Sequence, residues 1–187
     1  MQGMPLGPVG NLVQPPDGVA GVAPGERAPS GHGRPPTLFY VLAAAVLAVD
    51  QASKLAVITW LPPHQPLHLI DGYLDLTYVT NTGGAFGLMP WATPMLAVVA
   101  CAVAVLLLVH GRRLAQAGVL VEAAAALLLG GALGNLIDRV RLGHVVDFVD
   151  VHFWPVFNIA DIGITAGALL LVVATLLTAR AGGGQEE

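Results

Sequence analysis

Residues Gly130–Asp161 read GGALGNLIDRVRLGHVVDFVDVHFWPVFNIAD, and this stretch decides the fold. It begins inside one apolar run and ends inside the next. Between the two stand Asn135, Asp138, Arg139, His144, Asp147, Asp150, His152, Asn158 and Asp161. The rest of the chain makes that density unusual: of 187 residues, 55% are hydrophobic and only 11% charged, with a mean hydropathy of +0.72. Soluble domains carry about 25% charged residues. An ionised group in hydrocarbon costs roughly 2.5–3.5 kcal/mol on insertion scales, so groups kept at that cost mark a site by default.

Outward from this stretch, four apolar runs are long enough to cross about 30 Å of hydrocarbon at about 1.5 Å per residue. They cover residues 38–60, 91–109, 114–136 and 159–179. Four crossings leave both termini on one side. Arg34, Arg112, Arg113 and Arg180 flank that side, whereas 61–90 contains no Lys or Arg. The positive-inside rule therefore predicts cytoplasmic termini. Arg139 and Arg141 fall on the outer side and break the rule; Asp138 and Asp147 are expected to hold them there. Residues 1–36, rich in Pro and Gly and without the apolar core of a signal peptide, read as a disordered cytoplasmic tail. Residues 37–180 form the membrane domain, and 181–187 a second cytoplasmic tail.

The outer segment 62–82 has a pattern of its own. Residues 67–70 and 73–79 flank Asp71-Gly72, and Leu74, Leu76 and Tyr78 share one face. Asp-Gly between such runs predicts a β-hairpin with a type I′ turn. A hairpin is marginal alone, so it should lie against the membrane surface or the span ends. The alternation over 148–153 predicts a further strand, and Pro62, Pro63 and Pro90 fit element boundaries. The fold class is an all-α integral membrane protein with four transmembrane helices and a small extracytoplasmic β-hairpin or sheet.

Composition removes several functions. A net charge of −4 gives no nucleic-acid footprint. The single cysteine, Cys101, precludes an intramolecular disulfide or a Cys-rich metal site, and its apolar surroundings predict a buried, inert thiol. Only Ser30 and Ser53 occur, which counts against a serine hydrolase. A metallohydrolase built on His144, Asp147 and His152 lacks an H-E-x-x-H motif. A proton relay or transporter also uses intramembrane carboxylates, but transport needs a path through both leaflets, and here the carboxylates gather at one depth.

That depth follows from the spans. Asp50 lies about 18 Å along the first span, past the midplane. Asn135, Asp138 and Arg139 end the third span on the same side, Asp147 follows in the outer loop, and Asp161 begins the fourth span. Asn81 closes the hairpin loop. Glu122 is the exception, near the cytosolic end of the third span, where it is expected to snorkel or pair with Arg112 or Arg113. Several groups have structural explanations. Asp50 and Lys54 form a favourable i, i+4 helix pair. Asn135 and Arg139 share that spacing and, with Asp138, can simply finish a helix. Asn158 and Asp161 have the spacing of a capping box. Asp147, between Val146 and Phe148, has no such explanation. Two aspartates brought together cannot both ionise easily and can hold a water between them. One then takes the water's proton while the other protonates or polarises a scissile carbonyl.

Five motifs sharpen this reading. They are Val49-Asp50-Gln51-Ala52-Ser53-Lys54, Asn81-Thr82-Gly83-Gly84-Ala85-Phe86, residues 131–139, Gly143-His144-Val145-Val146-Asp147-Phe148, and Phe157-Asn158-Ile159-Ala160-Asp161. In that order on a four-span chain they resemble lipoprotein signal peptidase, or signal peptidase II, over residues 38–179. The resemblance implies an aspartic endopeptidase of the bacterial cytoplasmic membrane, needing no metal or cofactor. It implies removal of signal peptides from diacylglyceryl-modified prolipoproteins by cleavage before the lipidated cysteine. It makes Asp147 and Asp161 the catalytic pair. Asp50, Lys54, Asn81, Gly83, Asn135, Asp138, Arg139 and Asn158 become substrate-binding or supporting residues. The implied partners are prolipoproteins and membrane lipids, with the enzyme a monomer that binds no nucleic acid, and with its site near the extracytoplasmic face. Gly84, where the family commonly has alanine, the compact 147–161 segment and the long tail before residue 38 depart from the family pattern.

Overall fold

The computed structural model describes residues 35–63, 65–83 and 92–183. The expectations for residues 1–34, for Gly84, Ala85, Phe86, Pro90 and Trp91, and for the last four residues lie outside them. Four helices carry the chain: α1 (Thr37–Trp60), α2 (Ala92–Gln116), α3 (Val119–Leu142) and α4 (Ile159–Gly183). All four are long and apolar enough to cross a membrane. Three strands, β1 (Leu67–Ile70), β2 (Leu74–Asn81) and β3 (Val145–Asp150), form one antiparallel sheet in the order β1-β2-β3.

Helix α3 is the hub of the bundle, packing against α1, α2 and α4, whereas no Cα atoms of α2 and α4 come within 8 Å of each other. Small residues explain the hub. Ala124, Ala125, Ala126, Gly130, Gly131 and Gly134 are all buried on α3. Close backbone approach replaces the hydrophobic drive that lipid cannot supply between helices. At Gly130 a Cβ would come within 2.7 Å of the Ala43 carbonyl oxygen of α1, a contact that only glycine permits. The other three helices turn Val and Leu outward, for example Val98, Leu106, Leu169 and Leu176, as suits lipid-facing surfaces, and Cys101 of α2 lies exposed among them instead of buried.

Helix limits differ from the hydropathy runs chiefly in α2 and α3. Helix α2 continues to Gln116, so Arg112 and Arg113 sit in its last turns and not in a loop. Helix α3 starts at Val119 instead of 114, because Gly118, at φ +122°, interrupts the chain there. It then runs on to Leu142, where Gly143 at φ +76° supplies a left-handed C-cap whose N–H reaches the Arg139 carbonyl. Asp138, Arg139 and Arg141 are thus helical. The two arginines complement the negative end of the helix dipole.

The sheet seats its lower face on the end of α1 through a cluster of Val57, Val146 and Phe148, with Leu76, Tyr78 and Ile159 packed against it. The hairpin is present, but its turn is not type I′. Only Gly72 has positive φ, at +76°, while a type I′ turn requires it at Asp71 as well. The connection has three residues, Asp71, Gly72 and Tyr73, and the register slips between His68 and Ile70. The third strand starts earlier than the alternation suggests. Residues 145–148 are buried without interruption, since side chains and helix ends cover both faces. The strand stops before His152, which takes φ +66°.

Candidate active site

Asp50, Lys54, Asn81, Asn135, Asp138, Asp147, Asn158 and Asp161 meet where α1, α3, the ends of β2 and β3, and the start of α4 converge. Asp50 is fully buried and reaches across the bundle: its Oδ1 accepts the Ala160 N–H at 2.8 Å, in the first turn of α4. Asn158 precedes α4 and closes the capping box. Its Oδ1 accepts the Asp161 N–H at 3.0 Å, and its own N–H donates to Asp161 Oδ2 at 3.2 Å. The helix thus takes one cap from its own sequence and one from α1, which satisfies orphan N–H groups and fixes where Asp161 stands.

Asp147 arrives from the sheet. Its Oδ1 accepts Asn158 Nδ2 at 2.7 Å and its Oδ2 accepts Asn81 Nδ2 at 2.8 Å. The Asn81-x-Gly83 motif explains the second contact. Asn81 Oδ1 accepts the Gly83 N–H at 2.7 Å, an Asx turn that Gly83 completes at φ +74°. With its oxygen engaged, the Asn81 amide can present only its NH₂ to Asp147. Gly83 therefore shapes the backbone beneath a site residue. The backbone of the neighbouring Val146 is held by Asp138 and again by Asn158. Asp138 Oδ2 accepts the Val146 N–H at 3.1 Å, and Asn158 Nδ2 approaches the Val146 carbonyl at 3.4 Å.

Lys54 closes the network. It is 2% exposed, and its Nζ lies 2.9 Å from Asp50 Oδ2, 2.9 Å from Asp138 Oδ2 and 2.9 Å from Asn135 Oδ1. Asn135 Nδ2 in turn donates to Asp161 Oδ1 at 2.8 Å. Gln51, which sequence reasoning quoted inside a motif without a role, has an amide shared by Asp50, Asp138 and the Gly134 carbonyl at 3.1–3.2 Å. The polar-group-in-a-span argument applied to Asp50 would have found it. Gly134 is where the network needs an absent side chain, since a Cβ there would collide with the Asp50 carboxylate.

Burial pushes the Asp147 carboxyl up from 3.8 to about 6. Hydrogen bonds from Asn81 and Asn158 and the Lys54 charge oppose the rise, and the neighbouring Asp161 carboxylate adds to it. The two aspartates therefore sense each other's charge, as carboxylates sharing one site do.

Two sequence expectations need correction. Glu122 pairs with neither Arg112 nor Arg113. It is fully buried, and its Oε1 accepts the Phe39 N–H at 3.1 Å. Helix α1 has no cap from its own side chains, so Glu122 supplies one from α3. Asp138 spends its charge on Lys54 and not on an arginine, and no ion pair to Arg139 or Arg141 forms among the described residues. Arg139 donates weakly to the Asn135 carbonyl at 3.4 Å while lying in the field of Asp161, Asp147 and Asp138. His152, which the sequence offered only for the rejected metal site, lies 3.4 Å from Asp75. No group of three potential metal ligands occurs among the described residues.

The gap between α2 and α4 forms a groove of about 290 Å³. Its walls are apolar, with Val99 and Val103 of α2, Leu128 of α3 and Ile164 of α4, and Asn135, Arg139 and Asp161 line it as well. One of the two carboxylates, Asp161, thus lies on the wall of this largely apolar groove.

Four membrane-length helices thus carry two carboxylates that are both hydrogen-bonded by Asn158, beside an apolar groove, and comparison with known proteins places this architecture among polytopic aspartic peptidases. The family model described as signal peptidase (SPase) II matches residues 42–177. The lipoprotein signal peptidase of Moorella thermoacetica is 46% identical over 141 residues, covering 75% of this chain and 94% of that relative. The lipoprotein signal peptidase of Mycobacterium avium is 41% identical over 152 residues, covering 76% and 82%. A bacterial membrane enzyme solved by the in meso method at 2.3 Å superposes with a TM-score of 0.71 at 31% identity, covering 80% of this chain and 93% of that one. The chain belongs to the signal peptidase II family. It is a multi-pass protein of the bacterial inner membrane and an aspartic endopeptidase that processes prolipoproteins.

Proposed function

We propose that Asp147 and Asp161 form the catalytic pair, cutting diacylglyceryl-modified prolipoproteins immediately before the lipidated cysteine. The observation that carries this reading is that one residue, Asn158, hydrogen-bonds both carboxylates, through Nδ2 to Asp147 and through its backbone N–H to Asp161. With the Asp147 carboxyl pushed up to about 6 beside a second aspartate, the pair can carry one proton in mildly acidic solution and a minor protonated fraction above it. The ionised member takes a proton from a water held between them, and the oxygen attacks the scissile carbonyl. The protonated member donates to the carbonyl oxygen as the tetrahedral intermediate forms, and the amine leaves with a returned proton. Asn135, Asn158 and Asn81 orient the carboxylates, and Arg139 faces the bound peptide from the groove.

In this reading the apolar groove receives the membrane-embedded part of the substrate, the sheet lies over the outer leaflet, and both termini are cytoplasmic. The enzyme acts as a monomer in contact with membrane lipids. The test is incubation of the purified enzyme with a diacylglyceryl-modified prolipoprotein and with its unlipidated counterpart. Cleavage of the first alone is expected, and equal cleavage of both would remove the lipid from the recognition.

A further inference from the structure

We propose that Lys54 is a positioning residue that sets which way the Asn135 amide faces, and through it where Asp161 is held. This rests on the reading of Asp147 and Asp161 as the working pair. An ammonium has three donors and no acceptor. Lys54 Nζ meets Asp50, Asp138 and Asn135 each at 2.9 Å, so its three N–H groups match three acceptors. Whichever Asn135 atom faces it must be the oxygen. The NH₂ is then obliged to face Asp161 Oδ1, at 2.8 Å.

The polarity passes one residue further. Asn135 Oδ1 also accepts Asn158 Nδ2 at 3.1 Å, and that same NH₂ donates to Asp147 Oδ1 at 2.7 Å. A single buried cation on α1 therefore orders the Asn135 amide against Asp161, and the Asn135 oxygen it turns inward also receives the Asn158 NH₂, whose own orientation the Asp161 N–H cap supports. Without it, a flipped Asn135 would set its oxygen against Asp161 Oδ1, an arrangement of two acceptors with no proton between them. The Asp50 and Asp138 charges on either side hold Lys54 in place, which gives this buried pairing a use beyond stability.

The test separates a donor role from a purely structural one. Lys54→Met/Asp138→Asn removes one cation and one anion, so the cluster keeps its net charge. Lys54→Gln/Asp138→Asn does the same but restores an N–H donor. Cleavage of a diacylglyceryl-modified prolipoprotein is measured for both and for Asp138→Asn alone. Misplaced catalytic groups cost on the order of 10–100-fold in rate. The Met variant is expected to lose that much in kcat, with KM and the unfolding midpoint close to those of Asp138→Asn, while the Gln variant recovers most of the loss. Equal kcat for the Met and Gln variants would overturn the proposal. If the Met variant does not fold, Asn135→Leu takes its place: lost kcat with KM held is expected, and kcat retained is the contrary result. Asp147→Asn and Asp161→Asn run alongside; should they stay active, the pair assignment fails and not merely the role of Lys54.

Discussion

Asp147 titrates near pH 6 in the folded protein, against 3.8 for an ordinary aspartate, and this makes stability depend on pH. The gap of about two pH units corresponds to about 3 kcal/mol. The sign follows from proton counts. Between about pH 4 and 6 the folded state holds a proton on Asp147 that the unfolded state has lost, so stability falls as pH rises through that window and levels off above it. Asp147→Asn cannot ionise and lacks this component. Unfolding of both proteins in detergent micelles from about pH 4 to 8, taken as a difference, cancels the remaining carboxylates. The parent is expected to lose about 3 kcal/mol relative to the variant across the window. A difference that stays flat with pH would refute the reasoning. Asp161→Asn provides a cross-check, because removing the neighbouring charge should lower the midpoint of the Asp147 component.

Two further substitutions probe the scaffold. Glu122→Ala strands the buried Phe39 N–H at the start of α1 and is expected to cost about 1–3 kcal/mol, whereas Glu122→Gln keeps an acceptor and should cost less than half as much; thermal midpoints in detergent compare them. Gly134→Ala drives a methyl into the Asp50 carboxylate and should cost about 1–3 kcal/mol together with a loss of prolipoprotein cleavage, measured on the same preparation.

Much of this architecture was legible in the residues because lipid simplifies the code. Long apolar runs give the spans directly, and a charge within one stands out against them. The Asn158–Asp161 cap was readable from spacing alone, since its two hydrogen bonds are local. What stayed hidden are contacts whose partners are far apart along the chain. Glu122 finds a backbone N–H 83 residues away, whereas proximity in sequence points to Arg112 or Arg113. Asp138 was matched to the adjacent Arg139, but Lys54 on another helix claims it. The end of α3 was set too early for the same reason: residues 135–139 look like a helix terminus until their tertiary partners are known. The turn at Asp71-Gly72 was misjudged because a third residue, Tyr73, joins the loop and relieves Asp71 of the positive φ that a two-residue turn demands.

The central claim is that two acids, one from the sheet and one from the first turn of α4, do the chemistry together. Cleavage of a diacylglyceryl-modified prolipoprotein by purified, folded Asp147→Asn and Asp161→Asn tests it most directly. Neither variant should release a signal peptide while the parent does so under the same conditions, and parent-like release by either one would contradict the account.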